Sequence, residues 1–145
     1  MSVGVGKALR LLAEDADDLA VISAALQDAV TRIGDIQWEP GARRLTITFN
    51  RFRWEADEAQ GMRVRGALQL GGVLAVKARN LRREAKDAVL ELLALTFEAG
   101  DPPGGIVTFT FADGGDLAAT VECVDAALAD LSAPWATART PGHDA

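Results

Sequence analysis

The 145-residue sequence contains no tyrosine, one histidine (His143), one cysteine (Cys123) and three serines (Ser2, Ser23 and Ser132). A single cysteine excludes an internal disulfide framework and suits a reducing compartment. One histidine and one cysteine cannot make a usual zinc set, and they leave little material for nucleophilic or acid–base catalysis. No apolar run reaches the roughly 18 residues that a membrane span requires. Met1 to Arg10 lacks the charged-then-apolar layout of a secretory leader, which points to a cytoplasmic protein. What the chain does have, 49% hydrophobic and 25% charged residues, is the profile of one ordinary globular domain. We expect a single domain over residues 1–136 and a flexible tail over 137–145.

Charge is unevenly spread. Residues 1–42 carry a net charge of −4, residues 43–86 a net of +7 and residues 87–145 a net of −9. The overall −6 argues against a protein that coats nucleic acid, because phosphate binding rests on a positive field. The basic middle is nevertheless distinct, and acidic segments flank it in sequence.

Apolar periodicity outlines the elements. Leu19, Ile22, Leu26, Ala29 and Val30 recur at helical steps from about Ala16 to Val30, and Asp15, Asp17 and Asp18 suit the start of that helix. Ala8–Leu12 reads as a short strand, with an extra helical turn as the alternative. Glu39-Pro40-Gly41-Ala42 is a turn that joins Asp35–Glu39 to Arg44–Trp54 as a hairpin. Leu45, Ile47 and Phe49 share one face of that second strand. Phe52 and Trp54 are out of phase with them, so a bulge near Asn50-Arg51 is expected. Met62–Leu70 and Val73–Arg79 alternate on either side of Gly71-Gly72, a tight reversal. Helix and strand compete over Val89–Glu98, and period two at Leu93, Leu95 and Phe97 favours strand. Val107–Phe111 and Leu117–Cys123 follow as strands, with Cys123 on the apolar face. Val124, Leu128 and Leu131 suggest a last helix, and Trp135 after Pro134 is expected to fold back onto the core. The sum is an α+β fold, a bent antiparallel small barrel of about seven strands with an N-terminal and a C-terminal helix. That element order is similar to a pleckstrin-homology domain.

Asp18-Leu19-Ala20-Val21-Ile22-Ser23-Ala24, Leu26-Gln27-Asp28-Ala29-Val30, Asn50-Arg51-Phe52-Arg53-Trp54-Glu55, Val121-Glu122-Cys123 and Pro134-Trp135 carry a resemblance. Together they resemble domain-of-unknown-function family 2948, an uncharacterised alphaproteobacterial family. The resemblance spans nearly the whole chain and implies no assigned activity or catalytic residue. Twelve arginines against three lysines, with abundant alanine, is consistent with such a high-GC source.

Three apparent motifs fail on chemistry. Gly4-Val5-Gly6-Lys7 lacks the spacing and the hydroxyl residue of a phosphate loop. Cys123 continues an apolar strand face, which reads as a packed thiol rather than a nucleophile served by His143. The Asp15, Asp17 and Asp18 trio lacks the glycine and the terminal glutamate of a calcium loop, so capping explains it better. The remaining candidate is an arginine band: Arg43, Arg44, Arg51, Arg53, Arg63, Arg65, Lys77 and Arg79. If the expected pairings hold, several of these share one outer sheet face, where guanidinium forks can meet carboxylate or phosphate. The band either meets the protein's own acidic third, within one chain or across a homodimer, or serves an anionic partner such as an acidic protein or ligand. Nucleic acid is disfavoured, because the neighbouring Phe52 and Trp54 are expected to point inward rather than to stack on bases. The resulting expectation is a non-enzymatic binding or scaffolding module with no cofactor and no metal. A small enzyme or regulatory subunit acting on an anionic small molecule is the alternative.

Overall fold

A computed structural model describes residues 8–52, 62–132 and 135–136. The chain runs β1 (Arg10–Ala13), α1 (Ala16–Ala25), β2 (Val30–Arg32), β3 (Ile36–Glu39), β4 (Arg44–Phe52), β5 (Met62–Leu70), β6 (Val73–Arg79), β7 (Val89–Ala99), β8 (Gly105–Phe111), β9 (Asp116–Val121), β10 (Ala126–Asp130) and β11 (Trp135–Ala136). Every strand pairing is antiparallel. The strand order is β1-β10-β5-β4-β2-β7-β8-β9-β6, with β3 paired to β4 and β11 paired to β5.

Alternation drives this arrangement. Leu45, Ile47 and Phe49 on β4, Leu68 and Leu70 on β5, and Ala126 and Leu128 on β10 turn one side of the first half of the sheet into the core. Leu95 on β7, Phe109 and Phe111 on β8, and Leu117 and Ala119 on β9 do the same for the second half. Leu19, Ile22 and Leu26 of the helical segment join that core. Asp15 caps α1 by accepting a hydrogen bond from the Asp18 amide at 2.8 Å. The helix ends at Ala25 rather than near Val30, because Asp28 adopts φ 63° and turns the chain into β2.

Four expectations are corrected. The strands do not close into a barrel: β1 and β6 lie at opposite ends of the sheet, so the pleckstrin-homology-like layout does not hold. Eleven strands, rather than about seven, accompany a single α-helix among the described residues. The segment expected as a C-terminal helix is β10, inserted between β1 and β5. Val124 and the β10 residues Ala126 and Leu128 are buried at period two, whereas Val124, Leu128 and Leu131 alone also fit a helical stripe. Finally, Gly71-Gly72 is not a hairpin turn. It is a corner, with Gly72 at φ 62°, that carries the chain from β5 to β6, which pairs with β9 instead.

The bulge expected near Asn50-Arg51 is also absent. The β4–β5 register runs without a break from Leu45 to Phe52. Register shifts occur instead between Val73 and Ala75 and between Leu92 and Ala94. Keeping strict alternation on β4 brings Arg51, not an aromatic residue, to the next inward position.

Candidate functional site

The halves of the sheet meet at a weak seam. β2 pairs with β7 through three residues, Val30 to Arg32, but with β4 only through Val30 opposite Asn50. The Thr31 hydroxyl strengthens the joint by donating to the Thr48 carbonyl at 2.7 Å. Past that point β2 and β4 diverge and leave a cleft of about 260 Å³, lined by Val30, Thr31, Arg32, Asp35, Thr48, Asn50, Arg65 and Val89. The turn carrying Asp35 is tied down from behind. The Ile33 amide donates to the Ala88 carbonyl at 3.0 Å, and the Gly34 amide donates to the Lys86 carbonyl at 2.8 Å. A Cβ on Gly34 would lie 3.0 Å from that same carbonyl, so glycine permits the close approach.

Within the cleft, Arg65 Nη1 donates to Asn50 Oδ1 at 3.2 Å, and its Nη2 lies 3.9 Å from Asp35 Oδ2. The second distance is too long for a direct hydrogen bond. Arg32 is exposed and forms no ion pair with the described residues. The lining therefore offers two guanidinium groups, an amide, hydroxyls and one carboxylate, a set suited to holding an anion-bearing group by directed hydrogen bonds. Among the described residues, no group of three or more histidine, cysteine, aspartate or glutamate side chains could hold a metal ion. No helix among them is long and apolar enough to cross a membrane.

The arginine band does not gather on one outer face. Arg43 reaches Glu122 at 3.0 Å, and Arg79 Nε donates to Asp116 at 3.1 Å. Arg44 Nε donates to Glu39 at 2.9 Å, and this contact holds the Glu39 carboxyl below its ordinary range and Arg44 above its own. Arg63 donates to the Asn50 carbonyl at 3.2 Å and stacks its guanidinium 5.8 Å from the centre of the Phe52 ring. Lys77 is exposed and forms no ion pair among the described residues. Arg53 lies outside the described residues, as does Trp54.

Arg51 departs furthest from the expected outer position. Its side chain is fully buried, and its Nε and Nη2 donate to Asp130 Oδ1 at 3.1 and 3.0 Å while Nη2 also reaches Oδ2 at 3.1 Å. Asp130 Oδ2 further accepts the Leu9 amide at 2.6 Å. This buried carboxylate thus ties together β4, β10 and the segment entering β1. Three band residues, Arg43, Arg51 and Arg79, pair with carboxylates of the acidic last third.

Cys123 is likewise misplaced by alternation alone. β9 ends at Val121, and Cys123 sits exposed in the turn before β10. Native protein is therefore expected to react with Ellman's reagent without unfolding, as an accessible thiol does. Labelling that appears only in denaturant would contradict this placement.

Of the cleft residues, sequence reasoning singled out only Arg65. Arg32 and Asp35 fall in one short run, Asn50 on β4 and Arg65 on β5, and no spacing rule links them before β2, β4 and β5 are set side by side. The one available signal was the abrupt run Val30-Thr31-Arg32-Ile33-Gly34-Asp35, where β-branched residues meet a glycine turn.

No curated protein and no solved structure matches the chain. The model of the family described as protein of unknown function (DUF2948) matches residues 9–143, nearly the full length, and the protein belongs to that family.

Proposed function

We propose that the protein is a non-enzymatic binding module whose β2–β4 cleft takes a small ligand bearing a phosphate or carboxylate group. The observation that carries this reading is the convergence of Arg32 and Arg65, neither held in a close ion pair, on one cleft beside the Asn50 amide. The rest of the arginine band contributes less, because Arg43, Arg44, Arg51 and Arg79 are already engaged by carboxylates. A nucleic-acid role is disfavoured by the net charge of −6 and by the burial of Phe52, which removes it as a stacking platform. A cytoplasmic setting, supported by the single cysteine, belongs to the same reading.

Titration calorimetry with inorganic phosphate and with citrate tests it. A hydrogen bond to a charged group contributes about 1.5–3 kcal/mol, so removing one arginine lowers affinity about tenfold or more. Arg32→Gln and Arg65→Gln should each weaken binding by that factor while leaving the melting temperature unchanged. Raising salt from about 50 to 200 mM should weaken it further, since the site is open to screening. No heat with either anion, or equal binding by the Arg32→Gln/Arg65→Gln variant, would remove the reading.

A further inference from the structure

We propose that the outer face of the β7–β8–β9–β6 half is a self-association surface, and that its occupant is the same face of a second copy. The register places residues of the four strands in rows across this face, one of them Thr96–Thr108–Ala118–Lys77. Antiparallel sheets usually present a charged or strongly polar side to water. Here the two middle strands present only threonine, alanine and Ile106 outward, apart from Asp116, whose charge Arg79 meets. Ile106 is 37% exposed. The centre of the face is thus poor in charge, as interface cores are.

The charges at the edges select the partner. Lys77 lies on β6, Glu98 lies on β7, and both are exposed without an ion pair among the described residues. Three inter-strand steps, about 14 Å, separate these two strands. A two-fold axis running along the strands, between two facing copies, lays each β6 over the partner's β7. Lys77 of each copy then meets Glu98 of the other one row away, and the charge contact is made twice. An axis across the strands would set Lys77 over Lys77 instead, which like-charge repulsion disfavours. Four strands about 4.8 Å apart and about five residues long present about 330 Å² of sheet per copy, about 650 Å² for the two together. That is smaller than a standard interface of about 1,600 Å², so the dimer is weak and dissociates on dilution. The proposal is independent of the β2–β4 cleft, which shares with these four strands only Val89, the first residue of β7.

Sedimentation equilibrium of the full chain over roughly 5–500 µM is the test, a range that spans micromolar dissociation constants. The wild type should pass from monomer to dimer, and Thr108→Arg should abolish the dimer. Lys77→Glu and Glu98→Lys should each weaken dimerisation about tenfold, and the two combined should restore it to within about threefold of wild type. Circular dichroism and melting temperature establish that each variant is folded. A wild type that stays monomeric throughout overturns the proposal. So does a dimer that survives Thr108→Arg, which must form elsewhere, or a charge swap that remains as weak as the single changes.

Discussion

Arg51→Met is expected to lower the unfolding free energy by about 3–5 kcal/mol, the usual cost of leaving a buried charge without its partner. The Arg51 and Asp130 side chains are 0% and 2% exposed, so no water replaces the lost guanidinium. Asp130 would retain the Leu9 amide but lose three contacts from Arg51. Asp130→Leu alone should also destabilise, because the guanidinium loses its three hydrogen bonds to the carboxylate. The double change Arg51→Met/Asp130→Leu should recover much of the loss, since apolar residues of similar volume often substitute for a buried pair at little net cost. Urea unfolding of the four proteins gives the coupling directly. A loss below about 1 kcal/mol for Arg51→Met would place the pair in contact with solvent, as a surface ion pair would be.

Phe109→Ala should destabilise by about 3–5 kcal/mol, through lost transfer free energy and the cavity left behind. Phe109 is fully buried, and its cross-strand neighbours Leu95 and Leu117 are themselves in the core, so the site has little freedom to collapse. Its neighbour Thr110 points the other way, is exposed, and on replacement by alanine should change stability within about 0.5 kcal/mol. The contrast between adjacent residues tests the face assignment of β8, which is best followed by guanidinium denaturation. Comparable effects at both positions would mean that the register is shifted by one.

Period two was readable wherever large apolar residues alternated with polar ones. Val107-Thr108-Phe109-Thr110-Phe111 became β8, and Met62–Leu70 became β5. It failed where small residues blur the contrast. Ala126-Ala127-Leu128-Ala129 satisfies a helical and a strand spacing equally, and only the neighbours β1 and β5 decide between them. Arg51 was misjudged for a related reason. Local patterning assigns an arginine to solvent, whereas its burial depends on Asp130, 79 residues away in the chain. A charge at the inward position of β10 was the matching sign, but it becomes visible only when that segment is read as a strand. The cleft was least legible, since it exists because β2 separates from β4 after one residue pair. Such divergence is a property of packing between halves of the sheet and leaves no motif in either strand.

The proposed anion site is the β2–β4 cleft and not the arginine band as a whole. Amide chemical-shift mapping during titration with inorganic phosphate tests it most directly. Saturable shifts confined to Thr31, Arg32, Asp35, Thr48, Asn50, Arg65 and Val89, and lost in Arg65→Gln, are the expected result. Unsaturated shifts spread over Arg43, Arg44, Lys77 and Arg79, with the cleft silent, would contradict it.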